Sequence, residues 1–166
     1  MARVTIALLA LFTALFTSVL AAPLALTRRA AFQLQSWPAG SAQAQAAAVF
    51  IDPFNGVELT TVDETTLDNM NTMHEAAEAA ETDQFVPEIS AASGAAATAL
   101  QNGEIKNKVL KLTAEVQVLN IKIVQAKATG ASTTALESSL TEETTKLNTN
   151  IALDKAAAGQ PSKGVV

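Results

Sequence analysis

Side-chain catalysis starts most often from a histidine base, an activated nucleophile or a bound metal. This chain has one histidine and no cysteine. His74 stands four residues before Glu78, a spacing that puts both on one helix face, with Glu75, Glu81 and Asp83 close in sequence. A divalent cation accepts such groups. A zinc site, however, uses three or more protein ligands, and there is neither a second His nor a Cys to complete one. A hydrolase triad needs a His as base, so only His74 is on offer, and no Gly-x-Ser-x-Gly turn occurs. Paired carboxylates serve glycosidases, but sugar grooves are rich in aromatics and Phe85 is the only aromatic beyond residue 60. No catalytic, cofactor-binding or metal-ligating residue is therefore expected. His74 reads as the edge of an apolar stripe beside a solvated acidic face.

The other residues able to make contacts are aromatic. Phe32, Trp37, Phe50 and Phe54 lie within residues 30–60, with Pro38, Pro53, Gly40 and Gly56. Packed inward they form a lid over the rest of the chain. Exposed, they form a hydrophobic contact surface. Asp52-Pro53-Phe54-Asn55-Gly56 is a turn by composition, because Pro presets φ and Gly accepts positive φ. Residues 30–60 read as an irregular N-terminal arm, in which Ser41–Ala48 offers a helical turn or two.

Two features place this chain outside the cell. Arg3 precedes an apolar run from Thr5 to Val19, and Val19-Leu20-Ala21 presents a cleavage-like site before Pro23. This is the pattern of a secretory signal peptide over residues 1–21. The run falls short of the roughly 20 residues that span a bilayer, so no membrane span is expected after cleavage. Arg28-Arg29 then forms a dibasic pair, the only arginines after Arg3. Cleavage there releases a propeptide over residues 22–29 and leaves Ala30 as the mature start. The mature chain has eight lysines against sixteen acids, a formal charge of −8. Without arginine and with that sign, it is unsuited to nucleic acid or to anionic lipid. High net charge favours a soluble monomer. The absence of cysteine excludes disulfides, so stability rests on helix packing. No Asn-x-Ser/Thr acceptor is present, while the many Ser and Thr leave O-linked sugar open.

Apolar spacing gives the elements that must carry these residues. Residues 61–158 read as a helical bundle. Thr61-Val62-Asp63-Glu64 offers a capping box for a first helix that fades by residues 81–83, with Leu67, Met70, His74 and Ala77 on one face. Pro87 suits the first turn of a second helix, in which Gly94 sits and which Asn102-Gly103 ends. The third runs over residues 104–128. Ile105, Val109, Leu112, Val116, Leu119, Ile123 and Ala126 form a heptad seam, and Leu110, Ala114, Val118 and Ile121 a second stripe beside it. So wide an apolar face suits a helix with two or more neighbours. Gly130 ends that helix. Thr134-Ala135-Leu136-Glu137 caps a fourth, whose seam is Leu136, Leu140, Thr144, Leu147 and Ile151, with Glu142 and Lys146 paired on its outer side. The short gap between the last two makes them an antiparallel hairpin. Residues 159–166 read as a flexible tail. The expected fold class is all-α, an antiparallel bundle of about four helices with an irregular N-terminal arm.

Phe54–Asp63, Met73–Glu78, Ala99–Leu112, Leu153–Ala156 and Gly164-Val165-Val166 give the chain a recognisable look. In these stretches it resembles a group of uncharacterised small secreted proteins of filamentous ascomycete fungi. The Ala/Leu-rich helices and the Leu100–Gly103 turn are also similar to fungal hydrophobic-surface-binding proteins of the cell wall. These resemblances imply a fungal, extracellular origin and assign no active residue. The function expected is binding to a partner protein, wall polymer or hydrophobic surface, in the surroundings or at the cell wall. The alternative is an extracellular carrier of a small apolar ligand.

Overall fold

A computed structural model describes residues 38–165. The expected signal peptide with Ala21, the Arg28-Arg29 pair, Phe32 and Trp37 lie outside them. The described chain is all-α. In order it forms α1 (Ala42–Phe50), two 3-10 turns (Asp52–Phe54 and Leu59–Thr61) and α2 (Glu64–Ala80). A π turn (Glu81–Phe85) joins α2 directly to α3 (Val86–Ala91), and α4 (Gly94–Ala128) and α5 (Thr134–Ala156) complete the fold. No helix among the described residues is long and apolar enough to cross a membrane. Within the arm, α1 packs on the bundle and the irregular part lies between it and α2.

The central element is α4, whose 35 residues span about 52 Å. It contacts α1, α2, α3 and α5. Its wide apolar face explains this. The stripe Leu110, Ala114, Val118 and Ile121 is buried throughout, and the seam residues Val109, Leu112 and Ile123 are buried with it. The main core joins Val109, Leu110, Ala114, Val118 and Ile121 to Ala42, Ala46 and Phe50 of α1, Leu67 and Met70 of α2, and Ile151 of α5. Each fully buried Val, Leu, Ile, Phe or Met contributes about 1.5–3 kcal/mol. The α2–α4 pairing is antiparallel, since its contacts run in reverse order. Gln125 Nε2 donates to the Val62 carbonyl at 2.7 Å, whereas Lys108 meets Glu81 at 3.3 Å. The α4–α5 hairpin forms as its short connection requires.

The helix boundaries differ from expectation at four places, the last at Asn102-Gly103. Asp63, not Thr61, caps α2, its carboxylate accepting from Thr66 N–H at 2.7 Å. At the other end of the bundle Thr133 precedes α5, and its hydroxyl meets the Glu137 carboxylate at 3.1 Å. Pro87 does not start a separate helix. The chain widens ahead of it, with Val86 N–H bonding to the Glu81 carbonyl, so the ring enters a helical path with its usual i−4 clash relieved. The true break comes at Ala92-Ser93, both extended, followed by Gly94 at φ +57°.

Asn102-Gly103 does not stop a helix, because α4 runs straight through it. A glycine in a helix interior costs about 1 kcal/mol relative to Ala. The reason for this one is tertiary. The Lys163 carbonyl lies where a Cβ on Gly103 would sit. The expected flexible tail is docked over residues 159–165: Lys163 N–H donates to the Ala99 carbonyl at 2.8 Å and Val165 is buried against Ala80, Phe85 and Leu100. Its short polar sequence carries no helical period to reveal this.

Candidate functional site

Two polar constellations occupy the bundle. The first lies between α2, the π turn and α4, and it includes the residues that looked most reactive in sequence. His74 Nδ1 is 3.8 Å from Glu115 Oε2 and 3.4 Å from the Lys111 carbonyl oxygen. Glu78, its partner by spacing, turns instead to Lys111, whose Nζ donates to it at 2.5 Å and to Glu81 at 2.8 Å. Lys108 Nζ bridges Glu81 at 3.3 Å and Glu104 at 3.0 Å. Glu75 and Asp83 are exposed and take no part. Helix spacing produces this row, since positions 104, 108, 111 and 115 recur by three and four on the α4 face turned to α2.

The electrostatics are those of a clamp. Burial depresses the Lys111 ammonium, but the Glu78 and Glu81 carboxylates outweigh it and hold it above its ordinary value. Lys108 is held up in the same way by Glu104 and Glu81. The hydrogen bond from Lys111 draws the Glu78 carboxyl below its ordinary value. Glu115 moves the other way, pushed up by burial and then by Glu143. His74–Glu115 and Glu78–Lys111 tie α2 to α4, the two Glu81 contacts tie the π turn to α4, and exposed members of such a row are worth about 0–1 kcal/mol apiece. Among the described residues no three His, Cys, Asp or Glu side chains are grouped to hold a metal.

The second constellation joins the two ends of the described chain, and sequence reasoning missed it. Asp154 on α5 is 2% exposed. Its carboxylate accepts from Gly40 N–H at 2.9 Å and from Ala42 N–H at 2.8 Å. It thus caps α1 from a distant helix, where Ser41 at the cap position makes no side-chain bond. Lys106 on α4 is also 2% exposed and donates to the Pro38 carbonyl at 3.1 Å. Burial pushes its ammonium down, and the nearby Asp154 charge opposes that. Gly159 N–H and the Gln160 carbonyl pair with Ala39, at 3.0 and 3.1 Å. Asn107 ties α4 to α2, its amide donating to the Ala77 carbonyl at 2.7 Å. A signal was present: Asp154 extends the α5 seam from Leu147 and Ile151, and Asn102, Lys106, Thr113 and Gln117 follow one face of α4. Polar residues at core positions mark buried networks.

The four aromatics separate. Phe50 is 2% exposed within the main core, and Phe54 is half-buried against it. Phe50 is therefore a lid residue, not a contact surface. Its helix turns it inward with Ala42 and Ala46, at spacings of four. The same buried alanines, with Ala114, bring α1 close to α4, the opposite of what a carrier chamber needs.

A family model described as "Domain of unknown function (DUF8454)" matches residues 24–166. The chain belongs to this family. No curated protein matches the chain, and no solved structure does. The family span takes in every described helix, the polar junction at the chain ends and the docked C-terminal segment.

Proposed function

We propose that this member of the family is an exported, non-enzymatic protein, of fungal origin, that acts by contact with a partner protein or wall polymer. The observation that carries the export reading is where the family match begins. It starts at Leu24, three residues beyond the cleavage-like site at Ala21, so the shared unit is the part that follows the apolar leader. The contact reading rests on how the polar groups are used. Glu78, Glu81, Lys108 and Lys111 are turned to one another, His74 faces Glu115, and Asp154 holds two backbone N–H groups. What faces outward is charge. Residues 38–105 hold eleven acids and no Lys or Arg, while residues 106–165 hold eight lysines and five acids. Asp52, Glu58, Glu64, Asp68, Glu75 and Asp83 are all exposed. The exposed acids on and before α2 give that part of the surface a negative field, which steers a cationic partner to it. Phe50, turned into the core, takes no part in such a face.

The test is to express the full chain in a filamentous fungus and analyse medium, wall fraction and cells by intact mass. The expected result is a chain beginning at Ala30 in the medium or on the wall, released from the wall by salt. A start between residues 22 and 29 removes the propeptide step alone. A chain kept in the cells and still beginning at Met1 overturns the proposal.

A further inference from the structure

Residues 157–165 leave α5 without regular structure and cross the first half of α4 as a strap. Main-chain groups of the strap make two bonds to α4, and the Lys163 ammonium adds an ion pair to Glu88 at 3.4 Å. Lys163 N–H donates to the Ala99 carbonyl at 2.8 Å, and the Asn102 side-chain amide donates to the Pro161 carbonyl at 2.8 Å. One strap side chain is buried, that of Val165, against Ala80, Phe85 and Leu100. The remainder is exposed or half-buried. Backbone bonds with a single apolar anchor are how folded domains hold extended peptides.

The seat is shaped for this occupant. Gly103 has no side chain where the Lys163 carbonyl passes, and a Cβ there would also come 3.1 Å from Phe85. Asn102 is buried and directs its amide at the strap. Gly103 is the one glycine in the interior of α4. The seat is also separate from the main core. Ala80, Phe85, Leu100 and Val165 form their own cluster, apart from the one that joins α1, α2, α4 and α5. Lifting the strap leaves that larger core in place.

We infer that the groove between the π turn and the first half of α4 is a peptide-binding site, held shut by the chain's own C-terminal segment as resident ligand. The peptide it accepts when the strap lifts is extended, with an aliphatic residue for the Phe85–Leu100 pocket two positions after the residue whose carbonyl rests on Gly103. Tethering gives the strap an effective concentration of about millimolar, so a free peptide at micromolar levels does not displace it from the unmodified chain.

The probe is a labelled synthetic peptide of residues 159–166, followed by fluorescence anisotropy with the full mature chain. Val165→Asp removes the anchor and leaves the groove intact. This variant is expected to keep its helical circular dichroism and to bind the peptide at least tenfold more tightly than the unmodified chain. Adding Gly103→Ala fills the seat and returns binding to the unmodified level. A folded Val165→Asp chain that does not bind overturns the inference, as does binding that Gly103→Ala leaves unchanged. Loss of helix in Val165→Asp makes the strap part of the core and overturns it too. Hydrogen exchange on the unmodified chain gives a second reading: the Lys163 amide should exchange at least tenfold faster than that of Ala114, and equal rates refute a strap that lifts.

Discussion

Glu115 shows how one buried edge decides a pH response. Its carboxyl is pushed above the ordinary glutamate value by burial and by Glu143, against the pull of His74, Lys146 and Lys111. The folded chain therefore holds this proton to higher pH than the unfolded chain does. Stability falls as pH rises from the ordinary value of 4.5 through the raised one. Glu115→Gln escapes that loss. Its urea midpoint should match the parent's near about pH 4, where both forms are neutral, and exceed it near about pH 7. A variant less resistant than the parent at the higher pH would show that the His74 contact outweighs burial. Glu78 contributes in the opposite sense, since Lys111 lowers its folded value and that stability is lost as pH falls. Neither direction was legible in the sequence. His74-x-x-x-Glu78 is a local spacing, and Glu115 and Lys111 arrive from another helix.

At the scale of elements, seams were readable and breaks were not. The two stripes of α4 could be followed by period alone; the second stripe lies wholly in the core, while of the heptad seam Val109, Leu112 and Ile123 are buried and the rest half-buried. Gly94, Pro87 and Asn102-Gly103 were each open to two meanings. A glycine inside a helix would gain about 1 kcal/mol on replacement by alanine. Gly94 instead sits at φ +57°, where a Cβ meets no neighbour but the backbone itself is strained for an L residue. Left-handed backbone costs such a residue about 1–2 kcal/mol. Gly94→Ala should therefore lower stability by about 1 kcal/mol, seen as a reduced urea midpoint with unchanged slope. A gain instead would place the break elsewhere.

The whole molecule is closed by Asp154. It binds the start of α1 to the end of α5 across 112 residues of sequence and stands near the buried Lys106. Hydrogen bonds to a charged acceptor are worth about 1.5–3 kcal/mol each, and removing one member of a buried charge pair leaves the other unmatched. Asp154→Ala should lose about 3 kcal/mol in urea unfolding. Adding Lys106→Met to it should recover part of that loss, because burial disfavours the Lys106 ammonium and the Asp154 charge that opposes this is gone. An Asp154→Ala chain as stable as the parent would mean that water replaces the carboxylate at α1.

Composition and period determined the class of this protein: all-α, without cysteine, acidic, and built around one helix with too wide an apolar face for a single neighbour. Those properties are sums and local repeats, so they are fixed before folding. Tertiary structure alone decided which polar residues went inside. Lys106, Asp154 and Asn102 are charged or polar by type, and only the approach of residues 38–42 and 159–165 gives them partners. It also decided the use of Asn102-Gly103. Read along the chain, the pair is a stop. Read across the fold, it is the place on α4 where another backbone rests.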